Sequence, residues 1–202
     1  MNFIKGKFKA FEELTNHLNS VADTPNTYLI GIDGFGGSGK STLADKITEH
    51  CANVTIVHMD DFYLPSSEII QAHPTKKPVG ADFDWQRLLK QVIEPLNQEK
   101  GGHYQRYDWK TDALAEWHSV SLGGIVIIEG VYSIREELSN LYDLKIWVDC
   151  PREIRLSRGI ERDGEEAREM WENNWMLSED IYFEKQKPIE RADMVVDGTK
   201  GN

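Results

Sequence analysis

Eight consecutive residues have types and spacing suited to gripping a chain of phosphates: Gly34-Phe35-Gly36-Gly37-Ser38-Gly39-Lys40-Ser41. They fit the pattern G-x-x-x-x-G-K-[ST]. An apolar, strand-like run (28–32) precedes them, and a helical pattern begins at Thr42. Glycines reach backbone conformations closed to other residues, so successive N–H groups can turn inward and face an anion. The following helix adds free N–H groups and partial positive charge at its start. Gly34, Gly36, Gly37, Ser38, Gly39, Lys40, Ser41 and Thr42 are therefore the expected phosphate cradle. Lys40 would reach the terminal phosphates, and the Ser41 hydroxyl would hold a magnesium ion.

Phosphoryl transfer asks a protein chiefly to position groups and to neutralise charge. Beyond the cradle it needs carboxylates near the metal and near the attacking oxygen. Asp60-Asp61 closes the apolar run 54–59, and Glu129 closes the run 125–128. Glu129 would serve the metal together with Ser41. Asp60 is the candidate proton acceptor and a further metal-side group, with Asp61 as the alternative base. Arg155, Arg158 and Arg162 fall on one face of a predicted helix, with Arg152 beside them. Forked guanidinium groups suit phosphate oxygens. Arg158 is thus a candidate nucleotide ligand, and Arg162 a candidate for stabilising transferred charge.

These groups must be positioned by strands and helices. The spacing predicts a leading helix over 8–21, strands over 27–33, 54–59, 125–128 and 144–148, and a short last strand at 194–196. Helices are predicted over 39–51, 84–97, 151–163 and 165–184, and 64–81 is loop-like with Pro65, Pro74, Pro78 and Gly80. Residues 103–108 and 114–121 are predicted to pair as a small side sheet. Strands alternating with helices imply an α/β fold, a doubly wound parallel sheet of the P-loop NTPase type flanked by helices. In such sheets ligands bind at the carboxyl ends of the strands. The P-loop, Asp60-Asp61 and Glu129 all sit at such ends, so three polar features converge on one rim. The Trp171–Trp175 spacing suits a helix core, and His58 and His118 show no ligand spacing.

The chain has 202 residues, 40% of them hydrophobic and 28% charged, which suits one globular domain over 1–202. Its formal net charge of −11 argues against a nucleic acid held on a broad basic surface. No apolar run approaches the ~20 residues that span a bilayer, and no signal-peptide core opens the chain, so a cytoplasmic location is expected. Cys51 and Cys150 are expected to be reduced. Oligomeric state stays open, a homo-oligomer included. Two rival readings use the same motif. Gly34, Gly36 and Gly39 also satisfy G-x-G-x-x-G, the NAD-binding fingerprint, but Lys40-Ser41 has no purpose there. A nucleotide-hydrolysing switch would share the whole P-loop.

The motifs in series resemble the uridine kinase/phosphoribulokinase family of P-loop kinases. The matching pieces are 34–42, His58-Met59-Asp60-Asp61-Phe62-Tyr63, Phe83-Asp84, Tyr107-Asp108-Trp109, Ile127-Ile128-Glu129-Gly130, Arg155-Leu156-Ser157-Arg158 with Arg162-Asp163, and Ala192-Asp193-Met194-Val195-Val196. They keep the family's order across most of the chain. The resemblance implies an ATP- or GTP-dependent kinase that uses Mg²⁺ and phosphorylates a hydroxyl of a small molecule, with the uridine/cytidine class of acceptor favoured. It supports Asp60 as the catalytic carboxylate, and it implies an arginine-bearing lid over 151–168 and a substrate-side hairpin over 103–121. It makes Tyr63, Asp84, Arg106, Tyr107 and Trp109 candidates for the acceptor side, with Tyr107 and Trp109 stacking on a base. The segment near Asp197-Gly198 would lie by the donor's purine. Two departures stand out. The region 77–84 lacks a recognisable ribose-binding acid of the family's Phe-Asp-His-Pro type, and Gly159 stands where an arginine is usual.

Overall fold

A six-stranded sheet carries the site. In a computed structural model, which describes residues 2–199, its strands are β1 (Asn2–Gly6), β2 (Tyr28–Asp33), β3 (Val54–His58), β6 (Ile125–Glu129), β7 (Leu144–Asp149) and β8 (Met194–Asp197). The spatial order is β1-β8-β7-β2-β6-β3. All pairings are parallel except that of β1 with β8. The edge strand β1 is absent from the sequence expectation. It is short and mostly exposed, so it has neither an apolar run nor a clean alternation to reveal it. A separate two-stranded sheet pairs β4 (Gly102–Asp108) with β5 (Ala113–Val120), as the sequence predicts.

The continuous apolar strands are explained by cover on both faces. In β6, Ile125 and Ile127 pack to one side, against α1 (Phe11–Ala22) and α2 (Lys40–His50) through Leu14, Leu18, Leu43 and Ile47. Val126 and Ile128 pack to the other, against the helix α3 (85–97) through Leu88, Val92 and Ile93, and against Tyr104 of the hairpin. The period-two alternation of a strand thus divides one hydrophobic run between two cores. Next come α4 (Arg152–Asp163), α5 (168–186) and α6 (Pro188–Arg191). Within α5, residues Trp171–Trp175 form a π-helical turn, a rarity that concentrates at functional sites.

Strand β2 is central, with β6 on one side and β7 on the other. The chain leaves it through the P-loop, so the loop opens where the sheet's winding reverses, the usual crevice of a doubly wound sheet. Among the described residues no helix is long and apolar enough to cross a membrane.

Candidate active site

The P-loop is built as its glycines require. Gly34 has φ +150°, and a Cβ there would stand 2.4 Å from the carbonyl oxygen of Val148 on β7. Gly37 has φ +73°, with a Cβ position 2.7 Å from the Arg155 carbonyl oxygen. Only glycine tolerates both the angle and the closeness. Below the loop lies Asp33, fully buried at the end of β2. Its carboxylate accepts hydrogen bonds from Gly34 N–H (2.6 Å), Ile134 N–H (3.0 Å) and the Tyr182 hydroxyl (2.7 Å). Burial pushes the Asp33 pKa up to about 6, although those bonds and the Lys40 charge oppose the rise. Lys40 is buried at the start of α2, and its ammonium donates to the Phe35 carbonyl at 2.9 Å. Ser38 N–H donates to the same carbonyl at 3.1 Å, and Ser38 Oγ is buried with no hydrogen-bond partner among the described residues.

Beside the cradle, Ser41 Oγ donates to the Glu129 carboxylate at 3.3 Å to each oxygen. His58 Nδ1 lies 2.6 Å from Glu129 Oε1. Burial alone would raise the Glu129 pKa. The His58 bond, the Lys40 charge and the Ser41 hydroxyl outweigh it and hold the pKa down. His58 is raised in return, chiefly by that same bond. Asp60 follows on the short 3₁₀ turn Met59–Phe62 and opens onto the cleft. The surrounding protein and the nearby Glu129 raise its pKa, against the pull of Lys40, His58 and Arg162. Asp61 turns the other way. Its Oδ2 accepts from the Tyr104 hydroxyl at 2.8 Å, and its carbonyl accepts from Arg87 Nη2 at 3.1 Å.

Among the described residues no three His, Cys, Asp or Glu side chains form a metal-binding group. Ser41 and Glu129, with Asp60 near enough for charge coupling, offer oxygen donors only. Such a set fits Mg²⁺, which takes one or two protein oxygens and fills its shell with phosphate and water.

The arginine face divides. Arg152 pairs with Asp180 at the surface (2.8 Å). Arg155 is buried: Nε donates to the Cys150 carbonyl at 3.0 Å, Nη1 reaches Glu179 Oε2 at 3.4 Å, and the guanidinium lies 4.1 Å over the Phe35 ring. These two do not reach the cleft as the helical pattern predicts, because the Cys150 carbonyl, Phe35 and Glu179 claim Arg155, and Asp180 on α5 claims Arg152. Arg158 and Arg162 do border it. Arg158 donates to the carbonyls of Gly37 (3.1 Å), Gly198 (2.9 Å) and Thr199 (2.9 Å), which ties the P-loop to the segment after β8. Arg162 is exposed and forks onto Asp163 at 2.7 and 2.9 Å.

One cavity of about 690 Å³ joins all of this. Gly36, Gly37, Gly39, Lys40, Ser41 and Thr42 line one end, with Asp60 and Glu129 in the wall. Tyr63, Phe83, Trp109 and Tyr132 line the other. Tyr63 and Trp109 face each other with ring centroids 4.5 Å apart. Of the other acceptor-side candidates, Asp84, Arg106 and Tyr107 stand outside this lining. Asp84 caps α3 by accepting from Arg87 N–H at 2.9 Å. Arg106 pairs with Glu116 on the neighbouring strand at 2.6 Å. The Tyr107 ring is buried, and its hydroxyl donates to Asp112 at 2.7 Å. Each has a structural partner that sequence spacing alone does not display.

With this geometry in place, the match to known proteins is specific. The Phosphoribulokinase / Uridine kinase family matches residues 29–169. The chain belongs to this family. A uridine kinase of Brevibacillus brevis is 32% identical over 149 residues, covering 70% of this chain and 68% of the relative. Uridine-cytidine kinase B of Dictyostelium discoideum is 30% identical over 154 residues, 72% of this chain and 62% of the relative. Uridine kinase-like protein 4 of Arabidopsis thaliana is 29% identical over 159 residues. The matched stretch is only 33% of that plant protein's length, so the chain spans less than two thirds of some relatives it matches. Among solved structures, one described as a possible uridine kinase from Bacillus stearothermophilus superposes with TM-score 0.71 at 26% identity, over 92% of this chain and 96% of that one. A D-glycerate 3-kinase from Cryptococcus neoformans shares the fold, with TM-score 0.60 at 13% identity.

Further features of the site lie outside the motifs. Lys77 Nζ donates to both oxygens of Asp82, at 2.8 and 3.1 Å, and both residues line the cavity. Neither is singled out by the motifs, because no motif of the series falls on 77–82. His58 also escapes a spacing argument. The missing signal is register, since His58 on β3 lies directly beside Glu129 on β6. Trp171 is buried, consistent with a helix core, yet it also lines the cavity together with Trp175, Ser178 and Glu179.

Proposed function

We propose that the chain is a kinase that transfers the γ-phosphoryl group of ATP or GTP to a hydroxyl of a small, nucleoside-like acceptor of the uridine/cytidine class. The observation that carries this is the single cavity with the phosphate loop at one end, Asp60 and Glu129 in its wall, and an aromatic lining at the other. The donor phosphates would lie along the P-loop N–H groups from Gly37 to Thr42 with Lys40 beside them, the Gly36 N–H being held by Glu179. Arg158 holds the P-loop against the segment 198–199, and Arg162 stands at the mouth. Ser41 and Glu129 would hold Mg²⁺, which would neutralise phosphate charge; His58 keeps Glu129 oriented for that duty. Asp60 opens onto the cleft and accepts the acceptor's proton as its oxygen attacks. Asp61 cannot share this role while bonded to Tyr104.

The acceptor end favours an uncharged molecule. Among the described residues lining that end the one cation, Lys77, is already neutralised by Asp82. Tyr63 and Trp109 offer flat faces for a base. Residues 103–121 form the hairpin that carries Trp109 to this end, and 151–168 form the arm that carries Arg158 and Arg162 over the donor. The test is to mix the protein with MgATP and a panel of nucleosides, pantothenate, glycerate and ribose derivatives, and to follow ADP release. Release that depends on one neutral acceptor supports the proposal. An equal rate with every panel member, or none added, means a hydrolysing switch. Binding of NAD without ATP means an oxidoreductase.

A further inference from the structure

A carboxylate is built into the wall of the anion-binding loop. Glu179 is 5% exposed, yet it borders the cavity. Its Oε1 accepts from the Gly36 N–H at 3.0 Å, and Oε2 lies 3.4 Å from Arg155 Nη1. A Cβ on Gly36 would stand 2.8 Å from Oε1, so glycine is what lets the carboxylate approach. A negative charge in that place opposes the loop's purpose, since arriving phosphates are anionic. Its presence needs a compensating use, and its contacts supply one. Glu179 fastens the Gly36 arm of the P-loop to α5, while Tyr182, one turn further along, fastens Asp33 beneath Gly34.

We propose that Glu179 is a positioning residue that holds the Gly36 arm of the P-loop for nucleotide, and that it must take up a proton for the phosphates to bind most tightly. This rests on the kinase reading for its ligand, and concerns a group that reading leaves unused. Burial raises the Glu179 pKa to about 7, against the opposing pulls of Lys40 from α2, the Gly36 N–H and Arg155 from α4. Asp180, next along α5, adds to the rise, and Tyr132 from the loop after β6 also lies within its field. Both states accept the Gly36 bond through Oε1. Only the ionised one repels phosphate. Bringing phosphate charge nearby raises the pKa further, so binding draws in a proton, and affinity changes by up to tenfold for each unit of that rise.

Binding of MgATP without acceptor, followed by calorimetry from pH 6 to pH 8, tests this with two variants. Glu179→Gln keeps the Gly36 bond and loses the charge. It is expected to bind MgATP about five- to tenfold tighter than the native protein at pH 8 and equally well near pH 6. The nucleotide's own protonation is common to both proteins and cancels in their ratio. Glu179→Ala loses the bond as well and is expected to bind about tenfold more weakly than Glu179→Gln at every pH. A pH-independent affinity ratio between native protein and Glu179→Gln overturns the proton claim. Equal affinity of the Ala and Gln variants overturns the positioning claim. If Glu179→Ala does not fold, Glu179→Gln alone still decides the first. Failure of all three proteins to bind MgATP overturns this inference and the kinase reading together, whereas binding with no difference among them overturns this inference alone.

Discussion

Substituting alanine for Gly159 should weaken this protein, although the same change in an open helix strengthens one. Removing glycine from a helix interior gains roughly 1 kcal/mol. At this position in α4, a Cβ would stand 2.5 Å from Trp171 Cε2, 2.7 Å from Cζ2 and 2.8 Å from Cδ2. Carbon atoms pack at ~3.5–4.0 Å, so the indole must retreat by about 1 Å. It has nowhere to go. The ring is 2% exposed, its Nε1 donates to Asp163 at 2.9 Å, and its far edge already meets Gly36, with Cζ3 and Cη2 only 3.0 and 3.1 Å from that residue's Cβ position. Overpacking of this kind costs roughly 1–3 kcal/mol, and the immobile ring puts this site at the upper end, leaving a net loss of up to about 2 kcal/mol once the helix gain is subtracted. Urea unfolding of native protein and Gly159→Ala reads this directly. The same displacement presses the indole on the P-loop, so the KM for MgATP should rise several-fold. Trp171→Leu in the alanine background should relieve the strain, giving a double variant more stable than the sum of the single losses. A Gly159→Ala protein as stable as the native one would refute the reasoning, and so would strict additivity with Trp171→Leu.

Other expectations follow from individual contacts. Asp60→Asn should lower kcat by about 100-fold or more with nucleotide affinity little changed, while Asp61→Asn should alter kcat by less than about tenfold; steady-state kinetics with ADP release decides between them, and a reversed order would move the base to Asp61. Lys40→Ala should abolish transfer while leaving the melting temperature near native, and retained turnover would contradict the site. Asp82→Asn should uncover the Lys77 charge, lowering kcat/KM for a neutral acceptor by about tenfold and improving binding of a carboxylate- or phosphate-bearing one; equal losses for both would refute the masking argument. Asp33 titrates near 6 when folded and near 3.8 when unfolded. The folded state therefore holds the extra proton between those values, and stability falls by about 3 kcal/mol as pH rises through them. Urea unfolding from pH 4 to 6 should show a shallower fall for Asp33→Asn, and parallel curves would exclude Asp33 as the source.

Elements with a strong local pattern were legible in the sequence, and so was the rim where they end. The buried strands β2, β6 and β7, the P-loop helix and even the β4–β5 hairpin lie within a residue or two of where periodicity places them. The strand β1 was not legible, because an exposed five-residue edge has no periodic demand to meet. At the site, the cradle and Glu129 were legible since they are fixed by a motif and by a strand end. The arginine face was only half legible. Helical spacing puts Arg155, Arg158 and Arg162 on one side, but it cannot say that this side faces partly into protein, where Arg155 meets Phe35 and Glu179. Glu179 itself was invisible for the same reason. Its partner Gly36 is 143 residues away, and no local pattern joins them.

The distinction between Asp60 and Asp61 shows why long-range contacts decide chemistry that motifs only suggest. Both carboxylates follow β3 and both lie on one short 3₁₀ turn, so propensity and charge treat them alike. The hairpin breaks the tie. Tyr104 packs its ring on Phe62 at 5.0 Å between centroids and donates its hydroxyl to Asp61, which fixes that carboxylate on the far side of the turn. Successive residues of so tight a turn point in different directions, so anchoring Asp61 there leaves Asp60 facing the cleft. The charges around the cleft then fit its use. The described residues lining it include five acids, Asp60, Asp82, Glu129, Asp163 and Glu179, and four bases, Lys40, Lys77, Arg158 and Arg162. Asp82 and Asp163 occupy two of those bases, and backbone carbonyls occupy Arg158. Lys40, whose ammonium is held by one backbone carbonyl, that of Phe35, and by no carboxylate among the described residues, is left as the main cation for an incoming polyphosphate. A second source of positive charge must therefore accompany the nucleotide, and the oxygen donors of Ser41 and Glu129 stand where a magnesium ion would bring it.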